Sequence, residues 1–184
     1  IVTFTLNGRE IEVLAKPLVT LQTVLREQLG YTAAKSGCKK GGCGSCTVLL
    51  DGDPVLSCLL PVQNIAGREV TTLEGITPTD GLHPIQESFY ENYAIQCGYC
   101  SPGMILSAKA LVDRQPEPTE EDVKRALGGN LCRCGTYPRV IRAIQGWRQF
   151  EGVPLDTLPG PVEDEMNYFN TLTSEAADSI EGLR

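Results

Sequence analysis

The first part of the chain alternates apolar and polar positions, which is the period of β-strands. Residues 1 to 6 (IVTFTL) and 9 to 15 (REIEVLA) both alternate, and the Asn7-Gly8 pair between them is a strong hairpin signal. From Thr20 to Leu29 the period becomes helical, and Gly30 stands where such a helix commonly ends. The apolar residues on one face of this helix are Leu21, Val24, Leu25 and Leu29. The pattern predicts a hairpin followed by a helix.

A second hairpin is predicted around residues 51 to 54, whose letters DGDP form a turn. The segments CTVLL, which begins at Cys46, and VLSCLL, which begins at Val55, flank this turn. A last strand is predicted from Glu69 to Leu73. These elements predict a small mixed sheet packed by one helix, which is the β-grasp pattern.

Beyond residues 75 to 81, which are rich in turn formers, the period is helical. Helices are predicted at about 84 to 94, 102 to 114, 119 to 127 and 138 to 149. Ser101 and Thr119 are predicted N-caps, and Pro102 and Pro138 stand at helix starts. We therefore expect an α+β protein with a β-grasp domain over residues 1 to 76 and a four-helix bundle over residues 82 to 150.

The remaining residues, 151 to 184, have a different composition. Three prolines precede an acidic segment in which Met166, Tyr168, Phe169 and Leu172 stand at loosely helical spacing. This segment carries no residues with obvious chemistry. A tail lying on the surface and a segment that docks on a partner subunit are both consistent with it.

The chain has 184 residues and a net charge of -7, which argues against nucleic acid or an anionic membrane surface as a partner. It has no apolar run of about 18 residues, the minimum for a membrane-spanning helix. Ile1 opens a strand-like run without a basic leader, and the absence of an initiator Met leaves the true start open. We expect a cytoplasmic protein, with export of a folded complex on a partner's signal as the alternative.

The eight cysteines form two groups of four, and none is left over. The first group is Cys38, Cys43, Cys46 and Cys58, and the second is Cys97, Cys100, Cys132 and Cys134. The first group has the spacing C-x4-C-x2-C followed by a remote fourth cysteine, which is typical of plant-type 2Fe-2S sites. The second group, C-x2-C-x31-C-x-C, has a different frame. Two clusters held by different cysteine spacings suggest an electron-transfer path that takes up electrons at one cluster and releases them at the other.

Disulfides and zinc are the alternatives for these cysteines. Disulfide scaffolds are usually shorter and denser in cysteine than this chain. Structural zinc sites favour two C-x2-4-C knuckles, and neither group supplies two. Two 2Fe-2S clusters are therefore the leading interpretation.

The local sequence around each group fits a cluster. Residues 36 to 46 hold four glycines among three cysteines, so that the backbone can wrap closely and aim its N-H groups inward. Pairing in the second hairpin is expected to bring Cys58 near Cys46. Both cysteine pairs of the second group come just before predicted helices, whose positive N-terminal ends would stabilise added negative charge.

Three stretches resemble a known family, the iron-sulfur subunits or regions of the xanthine oxidase type molybdenum hydroxylases. They are GCKKGGCGSC (37 to 46), QCGYCSPGMI (96 to 105) and GGNLCRCGTYPR (128 to 139). The resemblance covers residues 1 to about 150, and spacing, order and both domains agree. The ending GTYPR is most similar to the isoquinoline and aldehyde type. Ser45, where many members carry Ala, is a departure.

The resemblance implies a division of labour within a complex. A large partner subunit would hold molybdenum bound by a pterin and oxidise the substrate. The second group would be the inner cluster next to the pterin, and the first, in a plant-type ferredoxin-like domain, the outer one that faces FAD on another subunit or a cytochrome. By position, Gln96 and Cys134 match pterin-contacting residues. The alternative for Gln96 is an ordinary polar residue at a helix end.

A few other residues keep alternative interpretations. His83 is the only histidine, and a Rieske centre needs two on one iron, so an ordinary place near a helix start is expected. Arg133 either donates bonds near a cluster or faces a partner. Lys39 and Lys40 are either solvated or mark a docking face for an acidic carrier. The aromatic residues expected to pack rather than relay electrons are Tyr90, Tyr93, Tyr99, Tyr137 and Trp147.

Three function classes remain at this stage. The leading hypothesis is an electron-transfer subunit of a molybdenum hydroxylase whose substrate site lies on another polypeptide. The alternative is a free-standing two-cluster ferredoxin. A cluster-based redox sensor lacks any recognisable DNA-binding element in this chain.

Overall fold

The computed structural model describes residues 1–152, so the predictions for residues 153 to 184 lie outside the described part of the chain. The first hairpin has the predicted form. Strand β1 (Val2–Leu6) pairs antiparallel with β2 (Arg9–Val13). The turn between them places Asn7 and Gly8 at positive φ, as a two-residue hairpin turn requires.

The predicted helix after the hairpin is less regular than its sequence suggests. Helix α1 (Leu21–Thr23) continues directly into a π-helical segment (Val24–Gln28). The widened turn lets the Leu29 N-H reach the Val24 carbonyl five residues earlier, at 3.1 Å. Gly30 has a positive φ and ends the segment as predicted. Periodicity alone does not distinguish a π turn from an α turn, because the same apolar residues are buried in both.

The second hairpin consists of β3 (Thr47–Leu50) and β4 (Asp53–Leu56). The predicted four-residue turn was too long, because positive φ at Asp51 and Gly52 closes the hairpin in two residues and leaves Asp53 and Pro54 in β4. Strand β5 (Glu69–Thr71) lies between β1 and β3, parallel to β1 and antiparallel to β3. The sheet order is β2-β1-β5-β3-β4.

The sheet and the first helix enclose one apolar core, and a short 3-10 helix (Val62–Ile65) closes it. Phe4, Leu6, Leu21 and Leu25 are among its largest fully buried side chains. Burial of such side chains is the main term that holds the sheet against the helix. The glycine-rich cysteine loop leads from this helix region to β3.

The second half of the described chain is helical. Helix α2 (Leu73–Ile76) is followed by α3 (Pro84–Glu91), α4 (Ser101–Arg114), α5 (Glu120–Ala126) and α6 (Tyr137–Gln145), and a 3-10 turn (Trp147–Phe150) follows. The four predicted helices are present. Thr119 caps α5 in a reciprocal capping box with Asp122.

Three helix boundaries differ notably from the prediction. Helix α6 ends at Gln145, four residues before the predicted end, and a separate 3-10 turn follows it. Helix α3 ends at Glu91, three residues early, and Tyr93 shortly beyond it has a φ of 50°, which is incompatible with a helix. Cys100, rather than Ser101, is the N-cap of α4. This shift matters because it places a cysteine directly at the start of the longest helix.

The helices build a second core around Ile85, Phe89 and Met104, all of which are almost fully buried. Helix α4 also packs on β3 through a small cluster of Leu49, Leu106 and Ala110. The α+β prediction is confirmed, with the sheet and the helices joined by α4 within residues 1–152. Among the described residues, no helix is long and apolar enough to cross a membrane.

Candidate metal centres

We name the first cysteine group the outer group and the second the inner group, after the positions that the resemblance implies. The loop of the outer group directs backbone N-H groups at the Cys38 sulfur. Gly42 donates to Cys38 Sγ at 3.2 Å and Lys40 does so at 3.5 Å. These bonds lower the pKa of Cys38 to about 7, and the bond from Lys40 has the largest effect. The loop can turn its amides inward because Lys39 and Gly41 have positive φ. A substantial fraction of Cys38 is therefore a thiolate at neutral pH, which is the form that binds iron.

Cys43 receives two further hydrogen-bonding groups. The Cys38 N-H lies 3.4 Å from Cys43 Sγ, and the Ser45 hydroxyl lies 3.2 Å from it. Gly37 lies directly beside the Cys43 sulfur, because a Cβ on Gly37 would be 2.8 Å from Cys43 Sγ. Only glycine leaves room for the sulfur here.

Cys46 and Cys58 complete the outer group from the two sides of the second hairpin. The Cys58 thiol lies close enough to act on the pKa of Cys46. The Ser57 hydroxyl fixes the approach by donating to the Cys46 carbonyl at 2.7 Å. Both cysteines are buried, and burial raises the pKa of Cys46 to about 11. Iron binding would therefore release a proton from this thiol.

The inner group is assembled from two loops that precede α4 and α6. The thiol of Cys97 interacts with that of Cys134, and the thiol of Cys100 interacts with that of Cys132. Cys97 and Cys134 are exposed, whereas Cys100 and Cys132 are partly buried. Burial, followed by the close Cys132 thiol, raises the pKa of Cys100 to about 12.

Cys132 is the counterpart of Cys38 in the inner group. Burial raises the pKa of Cys132, but hydrogen bonds from the side chain and backbone of Thr136 outweigh it and bring the pKa to about 7. The Tyr137 hydroxyl accepts from the Cys132 N-H at 2.8 Å and donates to the Asn130 carbonyl at 3.0 Å. Tyr137 thus pins the loop that carries Cys132 to the start of α6.

The thiols approach one another in pairs, and this arrangement fits a two-iron cluster. Within residues 1–152 no three His, Cys, Asp or Glu side chains converge as a single metal ion requires. A 2Fe-2S cluster instead places two cysteines on each of two irons. The pairs that would share an iron are Cys38 with Cys43, Cys46 with Cys58, Cys97 with Cys134, and Cys100 with Cys132.

The two groups are tied together by direct hydrogen bonds between their loops. The Leu131 N-H donates to the Cys43 carbonyl at 3.0 Å. The Asn130 amide donates to the Gly44 carbonyl at 3.2 Å and accepts from the Ser107 hydroxyl at 3.0 Å. Cys43 of the outer group is therefore one hydrogen bond and one residue away from Cys132 of the inner group.

The close approach of these loops depends on glycine. A Cβ on Gly103 would lie 2.3 Å from the Gly44 carbonyl oxygen, and one on Gly44 would lie 2.4 Å from the Gly129 carbonyl oxygen. Asn130 is buried between them. Helix α4 therefore presses the inner loop against the outer one.

A cleft of about 380 Å³ opens where the two groups meet. Cysteines of both groups line it, together with the exposed side chains of Tyr99, Leu131 and Arg133. Within residues 1–152 Arg133 makes no hydrogen bond or ion pair, and its place in the cleft is compatible with bonds near a cluster as well as with a partner.

Gln96 is exposed beside the exposed Cys97. It lies beyond the end of α3 at Glu91, and among the described residues its side chain has no hydrogen-bond partner. Gln96 therefore caps neither α3 nor α4, and an ordinary exposed polar residue remains the alternative to a pterin contact. Its amide is available to a group outside the chain.

The other residues singled out from the sequence have structural places. His83 caps α3 by accepting from the Ile85 N-H at 3.2 Å, and Trp147 donates to the Pro116 carbonyl at 3.0 Å. Burial lowers the pKa of His83, which keeps it a neutral acceptor. Tyr90 and Tyr99 are exposed and lie outside the cores of the described residues, so their expected packing stays a prediction for an interface.

Asn130 and Thr136 are site residues that the sequence did not reveal, and Tyr137 was expected only to pack. The one sequence signal for a role of these residues at the site was their position close to Cys132 and Cys134. Asn and Thr next to a cysteine pair can direct side-chain bonds to a nearby backbone or sulfur. Which atoms they reach depends on the contact between the two loops, which is distant in sequence.

Known proteins have similar sequences over the same region. The family model described as a 2Fe-2S iron-sulfur cluster binding domain matches residues 4–70, and one described as a 2Fe-2S binding domain matches residues 72–145. The nicotinate dehydrogenase small FeS subunit of Eubacterium barkeri is 42% identical over 144 residues, which cover 78% of this chain and 92% of that protein. The alpha subunit of isoquinoline 1-oxidoreductase of Brevundimonas diminuta is 42% identical over 142 residues, which cover 77% of this chain and 93% of that protein.

Solved structures are also similar. Quinoline 2-oxidoreductase from Pseudomonas putida 86 has a chain that matches with a TM-score of 0.77 and 36% identity, covering 80% of this chain and 95% of that one. The fold, the paired thiols and these matches define a protein with two 2Fe-2S domains. The chain belongs to the iron-sulfur subunits of the xanthine oxidase family of molybdenum hydroxylases, as its motifs predicted, and its relatives are oxidoreductase subunits.

Proposed function

We propose that this chain carries electrons from a molybdenum-pterin site on a large partner subunit, through the inner and then the outer 2Fe-2S cluster, to FAD or another acceptor such as a cytochrome. The observation that carries the proposal is the direct contact between the two cysteine loops. The Leu131 N-H and the Cys43 carbonyl, 3.0 Å apart, link an outer ligand to the residue before Cys132. Each cluster, when bound, supplies a site that takes up and releases one electron.

The protein around the two sites does the positioning. Asn130, Gly44 and Gly103 hold the loops at a fixed separation, because every contact among them involves backbone or a buried amide. Rigid placement of this kind limits the rearrangement that accompanies electron transfer. The backbone N-H groups at Cys38 offset the negative charge of the thiolates.

The inner end of the chain is open to a partner. Cys97, Cys134 and Gln96 are all exposed, although they are expected to hold or to neighbour a cluster. We propose that Cys134 and Gln96 contact the pterin on the large subunit. Direct contact between a ligand sulfur and the next cofactor gives the shortest route for an electron into this chain.

The surface around this end suits a protein interface. Ile95, Tyr99 and Leu131 are large apolar residues with 39%, 48% and 59% exposure. Tyr99 and Leu131 line the same cleft as Cys97 and Arg133. Aromatic, aliphatic and arginine side chains at the centre of a patch are typical of protein interfaces. We assign this surface to the large subunit.

The outer end has a different character. Lys39 and Lys40 are exposed next to Cys38, on a chain whose net charge is -7. In the described residues neither lysine has an ion-pair partner. A local positive charge beside the outer cluster would favour an acceptor with an acidic face.

Native purification with metal analysis tests the proposal. Size exclusion of material from an expressing host, with iron and molybdenum measured across the elution profile, should show both metals in one large species at about four irons per molybdenum. Iron that elutes with this chain alone, without molybdenum, would support the free-standing ferredoxin instead. Zinc in place of iron would contradict both.

A further inference from the structure

We propose that two buried hydroxyls, those of Ser45 and Thr136, set the reduction potentials of the outer and inner clusters, one hydroxyl for each cluster. Ser45 Oγ lies 3.2 Å from Cys43 Sγ, and Thr136 Oγ1 lies 3.4 Å from Cys132 Sγ. Both residues are 4% exposed. The inference rests on the proposed function only in requiring that Cys43 and Cys132 hold iron.

The direction of both hydrogen bonds follows from the chemistry of the ligand. A cysteine that binds iron is a thiolate and has no proton to donate. The hydroxyl of Ser45 or Thr136 must then be the donor and the sulfur the acceptor. Hydrogen bonds to a charged acceptor are about twice as strong as neutral ones.

The space around Ser45 is arranged for this bond. A Cβ on Gly37 would lie 2.6 Å from Ser45 Oγ and 2.8 Å from Cys43 Sγ, so that any larger residue would separate or displace the two atoms. The Lys35 N-H holds the Ser45 backbone by donating to its carbonyl at 3.0 Å. The Ser45 hydroxyl is therefore held next to the Cys43 sulfur.

The Thr136 hydroxyl also lies next to a cysteine sulfur, but at the start of a helix. It is the N-cap residue of α6, a position where a threonine side chain normally accepts a hydrogen bond from the first turn of its helix. Here the side chain makes no such cap bond and instead approaches Cys132. The usual stabilisation of the helix start is forgone in favour of a contact with a cluster ligand.

These bonds act on the potential because reduction adds charge. One electron converts one ferric iron to ferrous and changes the charge of a cluster with four thiolates from about -2 to about -3. A donor next to a ligand sulfur stabilises the more negative state more strongly, and it does so in a buried site of low dielectric. Each hydroxyl therefore raises the potential of its own cluster.

Redox titration of the native complex, followed by paramagnetic resonance, tests this inference. Ser45→Ala should lower the equilibrium constant for reduction of the outer cluster by about three- to tenfold. At 59 mV per tenfold change for one electron, this is a shift of about 30 to 60 mV. Thr136→Val should shift the inner cluster in the same direction and leave the outer cluster unchanged.

Two control variants separate the hydroxyl bonds from general effects on the loops. Thr47→Val removes a buried hydroxyl that donates to the Gly44 carbonyl at 2.7 Å rather than to a sulfur, and it should leave both potentials unchanged. Thr136→Ser keeps a hydroxyl and should retain the native potential of the inner cluster.

Unchanged potentials in Ser45→Ala and Thr136→Val with full iron content would overturn the inference, as would equal shifts of both clusters in either variant. Should Ser45→Ala lose iron, the Thr136 pair of variants makes the same test at the other site. Because the readout is a midpoint potential in iron-loaded material, it is independent of molybdenum content. An iron-free native protein would contradict the proposed function instead.

Discussion

The outer and inner cysteine groups hold the same number of thiols but differ in how far their own chain encloses them. Cys46 and Cys58 of the outer group are buried at the hairpin, and backbone amides cover Cys38. In the inner group Cys97 and Cys134 are exposed, and the exposed side chains of Tyr99 and Leu131 line the same cleft as Cys97. The outer group is therefore the more enclosed of the two in this chain, and under the proposed function the large subunit closes the inner one. Variants at each site, and at the contact between them, can break or sharpen that difference.

The largest effect is expected from replacing a ligand in either group. Cys43→Ser and Cys134→Ser should each reduce iron and sulfide from about four to about two per chain, with loss of a different one of two paramagnetic signals. The same signal lost in both variants, or all iron lost in each, would contradict two separate sites. Zinc analysis of the same samples controls for metal substitution.

The contact between the groups should be sensitive to one added methyl group. Gly103→Ala places a Cβ 2.3 Å from the Gly44 carbonyl oxygen, and the resulting overpacking should lower the free energy of unfolding by about 3 kcal/mol. Gly42→Ala is the matched control, because nothing lies within 4 Å of its Cβ. Thermal unfolding and iron retention of both variants measure the effect. Equal stability of the two would mean that the loops can separate at little cost.

A smaller effect is expected at the open inner end. Gln96→Ala should leave four irons per chain but weaken molybdenum retention or slow reduction of the inner cluster, by about 1–2 kcal/mol, which corresponds to about five- to thirtyfold. Gln96→Glu keeps the size and the acceptor oxygen but removes the amide donor, and thus identifies which half of the side chain is used. Molybdenum occupancy and rapid-freeze kinetics report both. Native values in Gln96→Ala would remove Gln96 from the pterin contact.

The smallest predicted effect concerns a buried carboxylate away from both groups. Glu87 is 5% exposed, and one of its carboxylate oxygens has no partner among the described residues. Burial, followed by the charge of Glu91, raises the pKa of Glu87. Between its ordinary pKa and this raised value the unfolded chain is more ionised than the folded one, so stability falls as pH rises through that window.

Glu87→Gln should therefore stabilise the protein at pH 8 by about 1 kcal/mol, or about 2–4 °C in melting temperature, with a smaller gain near pH 4.5, the ordinary pKa of the carboxyl group. Glu91→Gln removes only the like charge and serves as the control. Melting temperatures of the complex at the two pH values measure the difference. A gain that is independent of pH would mean that ionisation of Glu87 does not cost the folded state stability.

Much of this architecture is readable from the sequence because its signals are local. The hairpin at Asn7-Gly8, the capping box at Thr119 and the grouping of the cysteines all depend on residues within a few positions of one another. The family resemblance of the chain follows from three such stretches. The boundary of α3 and the π turn after Thr23 were missed because a single left-handed residue or an extra residue per turn leaves the apolar pattern intact.

The contact between the cysteine groups is the part that sequence reasoning could not supply. Asn130 reaches Gly44 across 86 positions, and Leu131 reaches Cys43 across a similar span. These bonds depend on α4 packing against β3, which is set by tertiary structure rather than by any local motif. Likewise, the turn of Thr136 towards sulfur instead of its own helix is visible only in three dimensions.

Paramagnetic resonance of the native complex carrying Cys43→Ser tests the order of the two clusters most directly. In the parent complex, one of the two cluster signals should be split by magnetic coupling to nearby paramagnetic molybdenum. Cys43→Ser should remove the unsplit signal and keep the split one, because Cys43 belongs to the outer group. Loss of the split signal, with the unsplit one retained, would contradict the assignment of the inner and outer ends.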